Sequence, residues 1–391
     1  MKVGTFFSGV GSPEQALKNL NINHSIEFAC DIDKYARQTY LKNFDCKNFY
    51  EDITNLNMNN LSYVDLLVFG FPCQAFSVAG KRKGFEDTRG TLFYDALRYL
   101  KVHKPRFFIA ENVKGLLFHD SGKTFQIIID CLAKTINYQY SIMPFDNLGY
   151  HIHYKVLNTK DFGIPQNRER IFIVGIRDDS DNNFSFPKKI NLDTKLKDLI
   201  QNKVDYKYYL SEKQQKRLLE RTQVDIRNVD EPTCFDVYSK KLVDDISMCL
   251  LEPHHNNLRL VTHSLFPRTG NPKKGGTGNL SKEDGTSYCL DTLNTQAIEF
   301  IADYRTDVGL RIRKDKISPC LPAGMGTGGL NIPYVKTKKI RKFTPIECER
   351  LQGFPDNHTE GVSDTQRYKQ MGNTISVNVM EAIFKNLFLW K

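Results

Sequence analysis

The sequence predicts an α/β protein: a doubly wound, mostly parallel sheet with a second, smaller domain rich in strands and loops. Two observations carry this expectation. Residues 1–176 alternate short apolar strands with helical stretches, the pattern of a parallel sheet covered on both faces. Beyond residue 189 that rhythm stops, and from about 225 to 340 turn residues and two glycine-rich segments dominate. The expected organisation is therefore 1–189 as a first domain, 190–355 as a second, and 356–391 as a segment returning to the first.

The first strand, residues 3–7, runs into Phe7-Ser8-Gly9-Val10-Gly11-Ser12-Pro13. Gly9 and Gly11 permit a tight turn with close backbone approach. Ser12 is placed to cap the next helix, Pro13 suits its first turn, and Gln15 completes a capping box. A strand, glycine turn and helix is how doubly wound sheets take nucleotide-like ligands. The turn is not G-x-G-x-x-G and no G-K-[ST] follows, so a nucleotide phosphate is not demanded. The second strand, 26–29, ends near Asp31-Ile32, where a carboxylate is placed to accept from ribose hydroxyls. Asp52-Ile53 stands where a third strand should end, and Asp52 can accept from an adenine amino group. Each acid alone fits a helix cap or turn better than a ligand contact. Three sites at successive strand ends suit a ligand with ribose and adenine but no phosphates, such as S-adenosylmethionine.

The fourth strand, 64–69, leads to Phe71-Pro72-Cys73-Gln74, which puts Cys73 just past a strand's C-terminal edge. Residues 81–90 carry Lys81, Arg82, Lys83 and Arg89 between glycines and read as a mobile basic loop. The fifth strand, 106–110, precedes Glu111-Asn112-Val113, and Gln166-Asn167-Arg168-Glu169-Arg170 precedes a strand at 171–176. Residues 177–183 look like a linker, and Ser211-Glu212-Lys213-Gln214 starts a short charged helix running to about 221. Glycine-rich segments at 270–278 and 324–329 lie close to Cys289-Leu290 and Cys320-Leu321, a hint of degenerate repetition. From Thr344 the pattern is helical again, ending in an apolar helix around 377–389.

Composition narrows the class. With 391 residues, 40% hydrophobic and 26% charged, the chain reads as a soluble globular protein. No apolar run approaches the ~20 residues of a membrane span and no signal peptide is visible, so a cytoplasmic protein without membrane contact is expected. A net charge of +10 favours a polyanionic partner. Nine scattered cysteines without a C-x-x-C pair argue against disulfides and against a zinc cluster, so no metal is expected.

Taken together, Phe7–Gly11, Pro72-Cys73-Gln74, Glu111-Asn112-Val113, Gln166-x-Arg168-x-Arg170, Gln370-x-Gly372-Asn373 and the segment from Arg341 to Pro355 resemble the DNA cytosine-5 methyltransferase family. Within that family the bacterial and phage enzymes with a single recognition domain look most similar. The likeness covers nearly everything except 190–335. It implies the S-adenosylmethionine-dependent methyltransferase fold and a catalytic first domain. It also implies a target-recognition region and double-stranded DNA as partner. A monomer is expected, since one active site and one recognition region suffice for one base; a cognate restriction endonuclease would act separately. The resemblance makes Cys73 the nucleophile and Glu111 the group at cytosine N3, with Arg170 bracing toward O2 and Arg168 a second cation. It assigns the cofactor to Phe7, Gly9, Val10, Gly11, Asp31, Ile32, Asp52, Ile53, Pro72, Leu92, Asn373 and Thr374, so the last helices should fold back onto the first domain. Gln74 and Ser77 would steady the space left by a flipped base, and Lys81 would meet the DNA backbone.

Departures are few. Asp31 stands where the family usually has glutamate, Ile32 replaces a frequent aromatic, and Cys320-Leu321 replaces a Thr-Leu pair. Two alternatives are distinguishable. A tRNA cytosine-5 methyltransferase would carry a compact recognition region and Cys-Phe-Thr; here the insert is long and Cys-Phe-Thr is absent. A catalytically silent DNA-binding homologue would lack Cys73 or Glu111, and both are present.

Overall fold

The computed structural model describes residues 1–72, 92–137, 139–140, 147–211 and 340–389, together with the backbone of short strands between 233 and 336. Its main sheet is built from β1 (Lys2–Phe6), β2 (Ser25–Cys30), β3 (Phe49–Tyr50), β4 (Leu66–Gly70), β5 (Phe107–Val113), β6 (Ala133–Ile136), β7 (Gln139–Tyr140), β8 (Tyr150–Asn158) and β10 (Glu169–Arg177), with β9 (Gln166–Asn167) just outside it. The spatial order is β3-β2-β1-β4-β5-β10-β8-β6-β7. The first five strands run parallel. β10 lies antiparallel between β5 and β8, and β6 and β8 are again parallel. The doubly wound, mostly parallel sheet is therefore present, with every strand read from the sequence found within a few residues of its expected place.

Why the sheet is covered on both sides follows from a period of two. On one face Val3, Leu66, Val68, Ile109, Phe172, Val174 and Ile176 share a core with Ala16 and Leu17 of α1 (Ser12–Asn19). On the other, Phe6, Leu67, Phe69, Phe108, Ala110, Ile171 and Ile173 pack with later helices. α2 (Lys34–Asn43) follows β2, and α3 (Leu92–His103) and α4 (Lys123–Leu132) bury Leu97, Leu100, Ile128 and Leu132 in that second core.

The C-terminal helices complete the first core. After the short α5 (Leu196–Leu199) come α6 (Pro345–Leu351), α7 (Asp364–Asn373) and α8 (Val377–Phe384). Leu351, Met371, Val379, Met380 and Ile383 are buried in the same core as Ala16 and Leu17 of α1. α6 begins at a capping box in which Thr344 and Glu347 satisfy each other's backbone N–H. Glu347 also takes a buried two-pronged ion pair from Arg341, at 2.6 and 2.8 Å.

The chain divides into two compact units, one of Met1–Cys249 with Leu310–Lys391 and one of Leu250–Gly309. The second contains a three-stranded antiparallel sheet of β11 (Leu260–Ser264), β12 (Ser281–Lys282) and β13 (Gln296–Phe300). The glycine-rich segments and the helix expected after Ser211 lie outside the described residues. Among the described residues no helix is long and apolar enough to cross a membrane.

Candidate active site

Parallel strands deliver their C-terminal ends to one edge, and the candidate site is built there. β1 stops at Phe6. Phe7 then takes φ 53°, a left-handed conformation rare outside glycine, and Gly9 and Gly11 follow at φ 55° and 83°. Such a turn aims its amides: Gly9 N–H donates to Asp31 Oδ2 at 2.7 Å, and Ser8 donates through both its N–H and its Oγ to the Cys30 carbonyl. Asp31 Oδ1 accepts from Asp33 N–H at 2.8 Å. Burial pushes the Asp31 carboxyl above its ordinary range, the two amides pulling the other way.

Ser12 does not do what its position suggested. Gly11 serves as the helix N-cap, in a left-handed conformation that a serine resists, and Ser12 makes no capping bond. Its hydroxyl lies 2.6 Å from Thr374 Oγ1 and 2.6 Å from the Ile375 carbonyl. The C-terminal segment is thus tied to the glycine turn. His358 Nε2 adds a bond to the Val10 carbonyl at 2.8 Å, while the Val10 side chain is in the core. Neither tie was legible in the sequence, because the partners are more than 300 residues apart.

An open pocket with about 380 Å³ of empty space sits at this edge. Phe7, Gly9, Ser12, Gly70, Glu111, Asn373 and Thr374 are among its lining residues. Of the cofactor residues expected from the sequence, Phe7, Gly9, Asn373 and Thr374 meet there, and Asp31 joins through its bond to Gly9. Ile32, 76% exposed, stands beyond the end of β2. Asp52 caps the 3-10 turn Ile53–Asn55, accepting from the Thr54 N–H and hydroxyl, bonds that hold its carboxyl below the ordinary range. The Ile53 side chain is buried in the second core, with Leu92 packed against that core; Pro72 is exposed.

The chemical end lies one strand over. Glu111 on β5 faces Gly70 of β4 in register. A Cβ at Gly70 would lie 3.2 Å from Glu111 Oε2, so the glycine leaves the carboxylate its room. Arg170 Nε approaches Glu111 Oε1 at 3.2 Å, and both side chains are largely buried. Asn112, the next residue, donates from Nδ2 to the Phe71 carbonyl at 2.9 Å, which fixes the chain where it leaves β4. Its part was not assigned from the sequence. Arg168 is buried and donates from Nη2 to the Gly372 and Thr374 carbonyls at 3.2 and 2.7 Å. So Glu111 and Arg170 come together, and two of Arg168's bonds brace the Asn373–Thr374 corner. Cys73, Gln74, Ser77 and Lys81 lie outside the described residues. Among the described cysteines, burial pushes Cys30 up to about 12 and Cys46 and Cys131 to about 11, so none of these three is a ready thiolate.

A family model of C-5 cytosine-specific DNA methylases matches residues 1–389. The chain is 33% identical to the type II methyltransferase M.Bsp6I of Bacillus sp. (strain RFL6), over 99% of its own length and 98% of that protein. It is 32% identical to the orphan methyltransferase M.SPRI of Bacillus phage SPR, over 99% of this chain and 97% of the relative. Among solved structures, the S. pombe Dnmt2 methyltransferase superposes with a TM-score of 0.58 at 15% identity, covering 100% of this chain and 98% of that one. At that identity the last likeness speaks to fold.

Proposed function

Because the chain belongs to the C-5 cytosine-specific DNA methylase family, we propose that it methylates C5 of a cytosine flipped out of a specific duplex sequence, through a covalent bond from Cys73 to C6. The observation that carries this reading is Glu111, paired with Arg170, on the wall of a pocket that Phe7, Gly9, Asn373 and Thr374 also line.

C5 of cytosine is a poor nucleophile, and attack at C6 is what activates it. The Cys73 thiolate forms the S–C6 bond, and the C5–C6 electron pair moves to C5, splitting one hard step into two easier ones. Charge developing toward N3 needs an acid there, the role of Glu111, which also accepts from the exocyclic amine. Arg170 holds that carboxyl in place and supplies positive charge toward O2. Once C5 carries the transferred methyl group, a water or hydroxide takes the C5 proton, that electron pair re-forms the C5–C6 double bond, and the S–C6 bond breaks to return the thiolate. The base must leave the stack first; Gln74 and Ser77 steady the vacated space and Lys81 meets a phosphate.

The cofactor for this reaction is S-adenosylmethionine, which when bound supplies an electrophilic methyl group. The residues fit it. A left-handed glycine turn opens the pocket floor, Asp31 offers a carboxylate to ribose, Ile32 offers an exposed apolar face to adenine, and Asp52 offers an acceptor to its amino group. The family resemblance adds Val10, Gly11, Ile53, Pro72 and Leu92 to the cofactor residues in this reading. Residues 190–355 form the recognition region in this reading, rooted in the first core by Leu196, Phe343, Leu351 and Phe354. The test is transfer of a labelled methyl group to duplex DNA, with bisulfite sequencing to identify the target. Cys73→Ala should abolish transfer; full activity in that variant would sink the mechanism.

A further inference from the structure

α3 carries a second set of groups that the reaction above does not use. Arg98 donates from Nη2 to the Ile53 carbonyl at 3.1 Å and from Nη1 to the Leu56 carbonyl at 3.2 Å. Asp95, one turn earlier, orients the guanidinium at 2.8 Å. Farther along the helix, Tyr99 Oη donates to the Ser62 carbonyl and His103 Nε2 bonds the Met58 carbonyl. Three side chains of one helix therefore hold the backbone of 53–62.

The part of that segment nearest the cofactor edge is the turn capped by Asp52. Asp52 Oδ1 is already fixed by Thr54, and Oδ2 accepts from Asn55 Nδ2 at 3.1 Å. Both partners belong to the turn, so Asp52 is only as well placed as the turn itself. The turn's own carbonyl at Ile53 accepts from Leu56 N–H and from Arg98. Arg98 is thus its external brace.

We propose that Arg98 is a positioning residue for cofactor recognition: by bracing the Asp52–Leu56 turn it sets the Asp52 carboxylate to select a purine that carries a 6-amino group. This rests on the assignment of Asp52 to adenine made above. A planar guanidinium suits the task, since its fork gives a separate nitrogen to each of the two carbonyls. Leu92, a cofactor residue in the same reading, begins the same helix.

The experiment measures binding of S-adenosylhomocysteine and of its 6-oxo analogue, S-inosylhomocysteine, by calorimetry to the full chain. Wild type, Arg98→Ala, Arg98→Lys and Asp52→Ala are compared, with urea unfolding of each in the absence of ligand. The wild type should prefer the 6-amino ligand by about tenfold, equivalent to ~1.4 kcal/mol. Arg98→Ala should lose most of that preference, as Asp52→Ala does. Its KM for S-adenosylmethionine should rise while kcat at saturating cofactor stays within about twofold. Arg98→Lys should recover part of the preference, because one carbonyl is still held. A preference that persists in Arg98→Ala overturns the proposal and leaves the assignment of Asp52 standing. A wild type that binds both ligands equally overturns the assignment and the proposal with it. A lower unfolding midpoint with unchanged preference assigns Arg98 to stability alone and also overturns the proposal.

Discussion

Gly11→Ala is the substitution whose cost is easiest to derive. Gly11 sits at φ 83°, where an alanine strains its own backbone by about 1–2 kcal/mol. An added Cβ would also meet Phe44 Cε2 at 2.2 Å and Cδ2 at 2.8 Å. The ring has little freedom to yield, with Tyr40 at 5.2 Å and His358 at 5.9 Å between centroids. Overpacking of that kind costs about 1–3 kcal/mol, so the expected total is about 2–5 kcal/mol. The two contributions separate in a double-mutant cycle with Phe44→Leu, which removes the clash but not the backbone strain. Urea unfolding of the wild type, both single variants and the double variant should give a coupling of about 1–3 kcal/mol, the double variant being more stable than additivity allows. Coupling below about 0.5 kcal/mol, the scatter of independent sites, refutes the clash. A Gly11→Ala protein as stable as the wild type refutes both contributions.

Two further outcomes follow from exposure and burial. Ile32→Ser should leave stability within about 0.5 kcal/mol, because the side chain is mostly in solvent, yet weaken S-adenosylhomocysteine binding by roughly three- to tenfold; Ile32→Phe should tighten it, and equal affinity in all three would remove Ile32 from the pocket. Burial holds His358 below its ordinary 6.5, so the folded state binds fewer protons than the unfolded one, and this stabilisation is present above pH 6.5 and lost as pH falls below it toward the folded value. The stability advantage of the wild type over His358→Gln, which keeps a donor for Val10 but does not titrate, should therefore shrink between pH 7.5 and 5.5 by up to about 1.4 kcal/mol per unit; parallel urea-stability profiles would contradict it.

The strands were legible because each alternates apolar residues between two buried faces, a signal contained in five or six consecutive positions. Glu111 and Arg170 were legible as motif members, although only the antiparallel seat of β10 against β5 brings them within 3.2 Å. Ser12 misled because its neighbours Pro13 and Gln15 mimic a capped helix start, while its real partner is Thr374. Asp52 is both a turn cap and a cofactor candidate, and local sequence cannot separate the two when one carboxylate has lone pairs for each. Arg98 left no local trace at all: its ligands are carbonyls, which every residue has.

The bond between Ser12 and Thr374 also bears on the order of events in the cell. The glycine turn is synthesised first and its partners His358 and Thr374 emerge more than 300 residues later, so a ribosome-bound chain carries half a pocket until then. Closing a loop of that length is entropically slow compared with pairing neighbouring strands. The fold thereby withholds the pocket at the glycine turn until Thr374 has been made, and a product terminated before it is left without that wall.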